Sequence, residues 1–221
     1  MIETRIGQQK VWNALAKAWQ GHRQKPWKDV QILINKMLKM KKGKVLEIGC
    51  GNCRNLLAFA KAGFDCYGID FSEEMLKQAV EFSKKNKMKL KLKYGLAERI
   101  PFPRDSFEQV LCVALLHHLR KENQAMAIKE IYRVLDDNGI ALITVWNKFN
   151  PKFWKFLFKK ERFVSWKWNN QIYRRYYYFF NYFELRNLLK KAGFKIIHSS
   201  SPFARNLAFV VKKIEILRRN Y

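Results

Sequence analysis

Acidic residues are scarce in this chain: 18 Asp and Glu stand against 44 Lys and Arg, a formal net charge of +26. Such an imbalance implies a polyanionic partner, either nucleic acid or an acidic membrane surface. A lysine-rich, merely solvated surface has the same composition. Cysteine is also sparse, with four residues, too few for the disulfide framework of a secreted domain. Cys50 and Cys53 have C-x-x-C spacing, but no two further ligands stand at zinc-motif spacing, so no metal is expected. Cys66 and Cys112 fall in apolar runs and read as strand interior. No apolar run is long enough to span a bilayer. The opening MIETRIGQQK lacks the apolar middle of a signal peptide, so an intracellular, cytoplasmic, soluble protein is expected, with no membrane partner. Internal repeats are absent.

What is present is a globular chain, 48% hydrophobic, of a length that suits one domain over residues 1–221. Val11, Leu15, Ala18 and Trp19 lie at helical spacing and predict an amphipathic helix from about residue 8 to 20. Pro26 suits the first turn of a second helix burying Trp27, Val30, Leu33, Ile34, Met37 and Leu38. Together these make a helical extension over residues 1–42. Alternation follows. KVLEI, FDCYGID, the run Leu90–Leu92–Tyr94, FEQVLCVALL and IALITVW read as five strands. Helices are expected at 56–62 with Gly63 as cap, from Glu73 behind Ser72, and at 122–135 before a DDNG turn. Asn181 and Glu184 have capping-box spacing before a last helix, and FKIIHSS and NLAFVVKK close the sheet. Strands alternating with helices predict a doubly wound α/β fold: a mostly parallel seven-stranded sheet with an antiparallel last strand.

The charge is concentrated. From Lys148 to Tyr221, 18 basic residues face 3 acidic ones, a net +15. The segment 147–180 reads as a basic, aromatic insertion carrying FWKFLFKK, FVSWKW and YRRYYYFF. Cations interleaved with aromatics fit phosphate contacts plus base stacking; aromatic runs are also ordinary core.

Between the first strand and its helix stands EIGCGNCRNL, Glu47 to Leu56. Glycines there let a ligand approach backbone closely. A dinucleotide fingerprint from Gly49 would need glycine where Arg54 stands, and no G-K-S/T is present, so neither phosphate motif is met. Asp70 ends the second strand, where an acid can accept bonds from both hydroxyls of a ribose. In this loop and spaced acid the chain resembles the class I S-adenosylmethionine-dependent methyltransferases, whose Rossmann-like fold carries E/D-x-G-x-G-x-G. Glu47, Gly49 and Gly51 match that pattern, with Cys50 between the glycines. The resemblance implies that this loop wraps the methionine part of the cofactor, while Asp70 and Phe71 meet the ribose and adenine edge. GLAERIPF resembles the later adenine block. Leu96 replaces its usual aspartate, leaving ring packing to Leu96 and polar contacts to backbone near Ala97 and Glu98. Cys53 replaces the third glycine, which suits the loop if position 53 needs no positive φ.

HRQKPW (His22–Trp27), LLHHL (Leu115–Leu119), ITVW ending at Trp146, and RRYYYFF (Arg174–Phe180) occur in order. Together they resemble the tRNA methyltransferases that esterify 5-carboxymethyluridine at the wobble position. That resemblance, over roughly residues 10 to 211, implies tRNA as substrate and a small zinc-binding activator subunit as partner. It implies catalytic roles for Arg23, His117 and His118, and substrate contacts for Lys25, Trp146, Arg174, Arg175, Tyr176 and Tyr177. A substrate carboxylate is ionised near neutral pH and needs no general base, so alignment is the task. Arg23 would orient the carboxylate or a phosphate, or else is a linker surface charge. One histidine would contact the uridine or carboxylate while the other packs. Trp146 would stack on the base or fill core. Arg175, Tyr176 and Tyr177 would line the substrate mouth, with Arg174 on a phosphate; a plain hydrophobic support is the other reading of the tyrosines. Two other functions compete: methyl transfer to a small molecule such as a quinone or lipid precursor, and an inactive RNA-binding scaffold that has lost its cofactor.

Overall fold

Five apolar runs build the parallel part of the sheet: β1 (Lys44–Ile48), β2 (Asp65–Asp70), β3 (Leu90–Tyr94), β4 (Phe107–Val113) and β5 (Leu135–Trp146). The computed structural model describes residues 4–40, 42–151 and 159–214. Two further strands, β8 (Phe194–Ser199) and β9 (Asn206–Lys213), complete a seven-stranded sheet of order β3-β2-β1-β4-β5-β9-β8. β9 runs antiparallel to both β5 and β8, as the missing helix between the last two strands predicts. Strand order reverses between β1 and β4, and the crevice beyond their carboxyl ends is where such sheets bind ligands.

Alternation along β1 sorts side chains onto two cores. Leu46 and Ile48 pack with Ile128 and Ile131 of α5 (Lys121–Val134) and Leu185 of α6 (Tyr182–Lys191). Val45 faces Ile34 of α2 (Lys28–Met37), Phe59 of α3 (Leu57–Lys61) and Ala79 of α4 (Glu73–Lys85). Each fully buried Leu, Ile or Phe contributes roughly 1.5–3 kcal/mol of apolar transfer, and a parallel sheet needs both faces covered. The remaining helix, α1 (Arg5–His22), packs on α4 and lies across the ligand crevice.

Several local expectations are revised. The first helix begins at Arg5, where Thr4 accepts from the Gly7 N–H. The second begins at Lys28 with a half-buried Trp27 as N-cap, so Pro26 precedes the cap and does not occupy the first turn. β4 ends at Val113, because Ala114 turns to φ 56° and a single 3-10 turn covers Leu116–His118. The DDNG segment is not a free turn: β5 runs through it with a register break against β4, and Asn138 at φ 67° absorbs the extra residues. Asn181 caps α6 by accepting from Glu184 N–H, while the Glu184 carboxylate bonds Tyr178 and Lys160 and does not complete the box. The insertion contains a separate antiparallel hairpin, β6 (Glu161–Trp168) and β7 (Gln171–Tyr178). Most of FWKFLFKK lies outside the described residues, as do the ends of the chain. Among the described residues no helix is long and apolar enough to cross a membrane.

Candidate active site

The loop after β1 folds around three left-handed positions, Gly49 (φ 64°), Gly51 (φ 53°) and Cys53 (φ 61°). Cys53 therefore does not meet the condition the sequence reading set for it, and its positive φ is a strain on the order of 1–2 kcal/mol for an L residue. Its side chain is fully buried, with its sulfur and that of Cys50 both abutting Gly68 of β2. The tight turn aims backbone at Asp70: Gly51 N–H donates to Oδ2 and Ser72 N–H to Oδ1, both at 2.9 Å. Burial pushes the Asp70 carboxyl up to about 6, against those same donors. Glu47 is pushed up to about 7, also by burial, although Asn55 donates to its Oε1. Its Oε2 is buried without a partner.

These groups line a cleft of about 1210 Å³. Leu96, Ala97 and Glu98 form its far wall, and Trp12 and Trp19 of α1 form its roof. Arg5 of α1 pairs with Glu98 at 2.6 Å, so that carboxylate is already engaged. Arg54, buried with its Nε unpartnered, also lines the cleft. An unpaired carboxylate oxygen and an unpaired guanidinium N–H, both buried in one cleft, suit the ammonium and carboxylate of an amino-acid zwitterion. Asp70, held by backbone at the end of β2, suits ribose hydroxyls. The donor set thus fits a nucleoside joined to an amino acid.

A second chamber of about 620 Å³ adjoins the cleft, sharing Trp19, Ala114 and His118 with it. Here the structure gathers Arg23, His117, His118, Trp146, Arg175 and Tyr177 from four separate stretches, together with Trp27 and Trp166. The Arg23 guanidinium lies 5.5 Å from the Trp19 ring and 5.9 Å from Trp27. Arg175 lies 4.8 Å from the Trp166 ring and is buried. The Nε of each arginine is buried without a partner. Trp146, Tyr177 and His117 form a stack, with Trp146 and Tyr177 centroids 4.4 Å apart. Burial lowers both imidazoles, His118 to about 3 and His117 well below its usual value. His118 Nδ1 lies 2.9 Å from the Tyr176 carbonyl and so must carry the proton. His117 Nδ1 accepts from Trp146 N–H at 3.2 Å, which leaves its proton on Nε2.

Not every expected residue joins the chamber. Tyr176 lines the cofactor cleft, with the Arg120 guanidinium 4.4 Å from its ring. Lys25 and Arg174 are exposed and outside both cavities. Arg175 and Tyr177 stand in the interior and not at a mouth. Sequence reading missed Arg54, Asn52 and Trp12, took Trp19 and Trp27 for buried helix positions, and had Trp166 only within the aromatic run FVSWKW. Asn52, fully buried, donates to the Arg23 carbonyl at 2.8 Å and ties the cofactor loop to the arginine's backbone. Trp19 lies on the helix face that periodicity reads as plain core, and Trp12 stands outside the series that defined that face.

A family model described as a methyltransferase domain matches residues 45–139. An uncharacterized methyltransferase of Bacillus subtilis is 34% identical over 101 residues, 45% of this chain and 39% of that protein. The match thus spans less than half of the relative's length. A protein of Encephalitozoon cuniculi named as a methyltransferase is 32% identical over 159 residues, covering 69% of this chain and 70% of that one. Demethylmenaquinone methyltransferase of Staphylococcus carnosus is 30% identical, covering 76% and 75%. The tRNA (carboxymethyluridine(34)-5-O)-methyltransferase of Schizosaccharomyces pombe is 27% identical, covering 85% and 88%. Among solved structures, an S-adenosylmethionine-dependent methyltransferase from Clostridium acetobutylicum shares the fold, with TM-score 0.72, 11% identity, and 92% and 99% of the chains covered. So does a chain in the complex between the Haloferax volcanii Trm112 methyltransferase activator and a methyltransferase, with TM-score 0.69, 16% identity, and 94% and 96% covered.

Proposed function

Since the chain belongs to the class I S-adenosylmethionine-dependent methyltransferases, we propose that it methylates the carboxylate of 5-carboxymethyluridine at the tRNA wobble position. The observation that carries this reading is the second chamber. Two guanidiniums, Arg175 buried and Arg23 half-buried, each with its Nε–H buried and unpaired and walled by tryptophans and tyrosine, suit a planar ring bearing an anion. The chamber adjoins the cofactor cleft, sharing Trp19, Ala114 and His118 with it, and methyl transfer requires that adjacency. The relative from Schizosaccharomyces pombe acts on that nucleoside, and the net charge of +26 suits an RNA substrate.

S-adenosylmethionine, when bound, supplies a methyl group on a sulfonium centre. Glu47 and Arg54 would hold its amino-acid end, Asp70 its ribose, and Leu96 with backbone near Ala97 its adenine. Arg23 and Arg175 would grip the acceptor carboxylate and Trp146 would face the base. The neutral histidines position and exclude water. With imidazoles held far below their usual range, neither is suited to take a proton near neutral pH, and an ionised carboxylate offers none. The activator bound to the Haloferax volcanii chain is the partner we propose for this one.

A small-molecule acceptor is the second reading, favoured by the demethylmenaquinone relative. A quinol precursor must lose a proton, and the two histidines, lowered by burial, are poor acceptors of one. Incubating the protein with labelled cofactor and bulk tRNA, then analysing nucleosides, separates the two. Labelled methyl ester of 5-carboxymethyluridine supports the tRNA reading; unlabelled tRNA with labelled quinone product overturns it.

A further inference from the structure

Arg23 and Arg175 face the same chamber, and neither has an ion-pair partner among the described residues. No Asp or Glu lines that chamber. The ionisable groups that act on Arg175 are the Tyr177 hydroxyl, which bonds it, and Arg23 itself, which repels it. Burial holds Tyr177 up to about 12, so it stays neutral. Both imidazoles are neutral as well. The chamber therefore carries two cations and no fixed anion. A buried charge without a counter-ion is costly, and an aromatic cage recovers only part of that cost. Such an arrangement makes sense where the ligand brings the negative charge.

We propose that the chamber is selective for charge as well as shape: Arg23 and Arg175 together hold the acceptor as an anion and lose their grip on it once it is esterified. This rests on the carboxylate reading above. In the transfer, an oxygen lone pair of the carboxylate forms the new bond to the methyl carbon while the methyl–sulfur bond breaks and its electron pair stays on sulfur. Carboxylate and sulfonium charges cancel, no proton is released, and the products are a neutral ester and a neutral thioether. Before the step the two guanidiniums make charge-assisted bonds to an anion. Afterwards they face an ester carbonyl, again as two like charges in one aromatic box without an anion. Ester release is driven by that loss, and Arg175 is the residue that makes the chamber doubly charged.

The test uses an anticodon stem–loop RNA bearing 5-carboxymethyluridine, its methyl ester, or the isosteric neutral carboxamide. Binding is measured to the full chain saturated with S-adenosylhomocysteine. The three RNAs share every phosphate, so the electrostatic background cancels. The acid should bind about tenfold to hundredfold tighter than either neutral form, the span between a charge-assisted and a neutral hydrogen bond. In Arg175→Gln the preference should fall to within about threefold, whereas Arg175→Lys should keep part of it, since it keeps the charge and loses the fork. If Arg175→Gln fails to fold, Arg23→Gln, at a half-buried linker position, reads the same loss of selectivity. Equal binding of the three RNAs by the unsubstituted protein overturns the proposal, even where tRNA is methylated and the acceptor reading stands. Absence of ester formation on tRNA overturns the acceptor reading itself.

Discussion

At the scale of single residues, Asp70 is the most exacting part of the cofactor cleft, because backbone N–H groups fix both of its oxygens before any ligand arrives. Asp70→Ala should weaken S-adenosylhomocysteine binding by on the order of 1.5–3 kcal/mol, the worth of hydrogen bonds to a charged acceptor, measured by calorimetry. Burial raises Asp70 to about 6 and Glu47 to about 7. Both must be ionised to bind a ribose and an ammonium, so affinity should fall as pH drops through 7 toward 6. The sign for stability is the reverse: the free fold retains these protons above the ordinary carboxylate range of about 4, so it loses stability as pH rises through that window. The histidines act oppositely. Below about 6.5 the unfolded chain takes up protons that buried His117 and His118 refuse, and stability falls with pH. At saturating cofactor, single-turnover rates should therefore show no inflection near 6.5. Arg23→Ala should slow transfer by on the order of 10²-fold through misalignment, more than His117→Ala or His118→Ala. The opposite ranking would indicate a general-base enzyme.

Among the elements, α1 and the β6–β7 hairpin belong together. The Gln8 side chain works as a strand mimic: its Nε2 donates to the Arg174 carbonyl and its Oε1 accepts from the Tyr176 N–H. Gln9 donates to the Phe71 carbonyl and Asn13 accepts from the Ser72 hydroxyl, so one helix holds both the hairpin and the end of β2. Gln8→Ala should remove two hydrogen bonds worth roughly 0.5–1.5 kcal/mol each. Exchange of the Tyr176 amide, read by hydrogen exchange, should quicken while amides of β1 and β4 stay unchanged. Unaltered Tyr176 exchange would mean the hairpin stands without the helix. The coupling matters for the site, since Trp19 from α1 and Trp166 from the hairpin lie 5.8 Å apart over the second chamber.

Taken whole, the molecule carries a net charge of +26, which suits the proposed RNA substrate. Its tRNA affinity should fall steeply with salt, with a log–log slope of about −0.7 to −0.9 per neutralised phosphate. A slope near zero between low and physiological salt would remove nucleic acid from the account. The exposed Arg174 and Lys25 belong to this scale, as charges beside the site and not within it. The proposed activator also belongs here. Co-expression with a Trm112-type subunit should yield a stable complex with higher activity on tRNA; full activity of the isolated chain, unchanged by the subunit, would argue against the partner.

Local physics made much of this legible from the chain alone. Apolar runs of strand length alternating with amphipathic stretches can bury both faces only as a parallel sheet, so the sheet follows from pattern. The glycine loop and Asp70 follow too, because a strand end, a tight turn and an acid lie within 24 residues of one another, Glu47 to Asp70. Tertiary structure alone decided the rest. Arg23 and Arg175 are separated by most of the chain, and no spacing rule says that α1 and a β-hairpin will turn them into one aromatic box. Cys53 looked compatible with an ordinary turn until the backbone put it at φ 61°, a value set by closure of the whole loop on Asp70. Trp19 read as core because periodicity reports which face is buried, never what it is buried against. Burial of a polar atom without a partner, the feature that marks Glu47, Arg54 and both chamber arginines, depends on every neighbour at once and exists only in the folded chain.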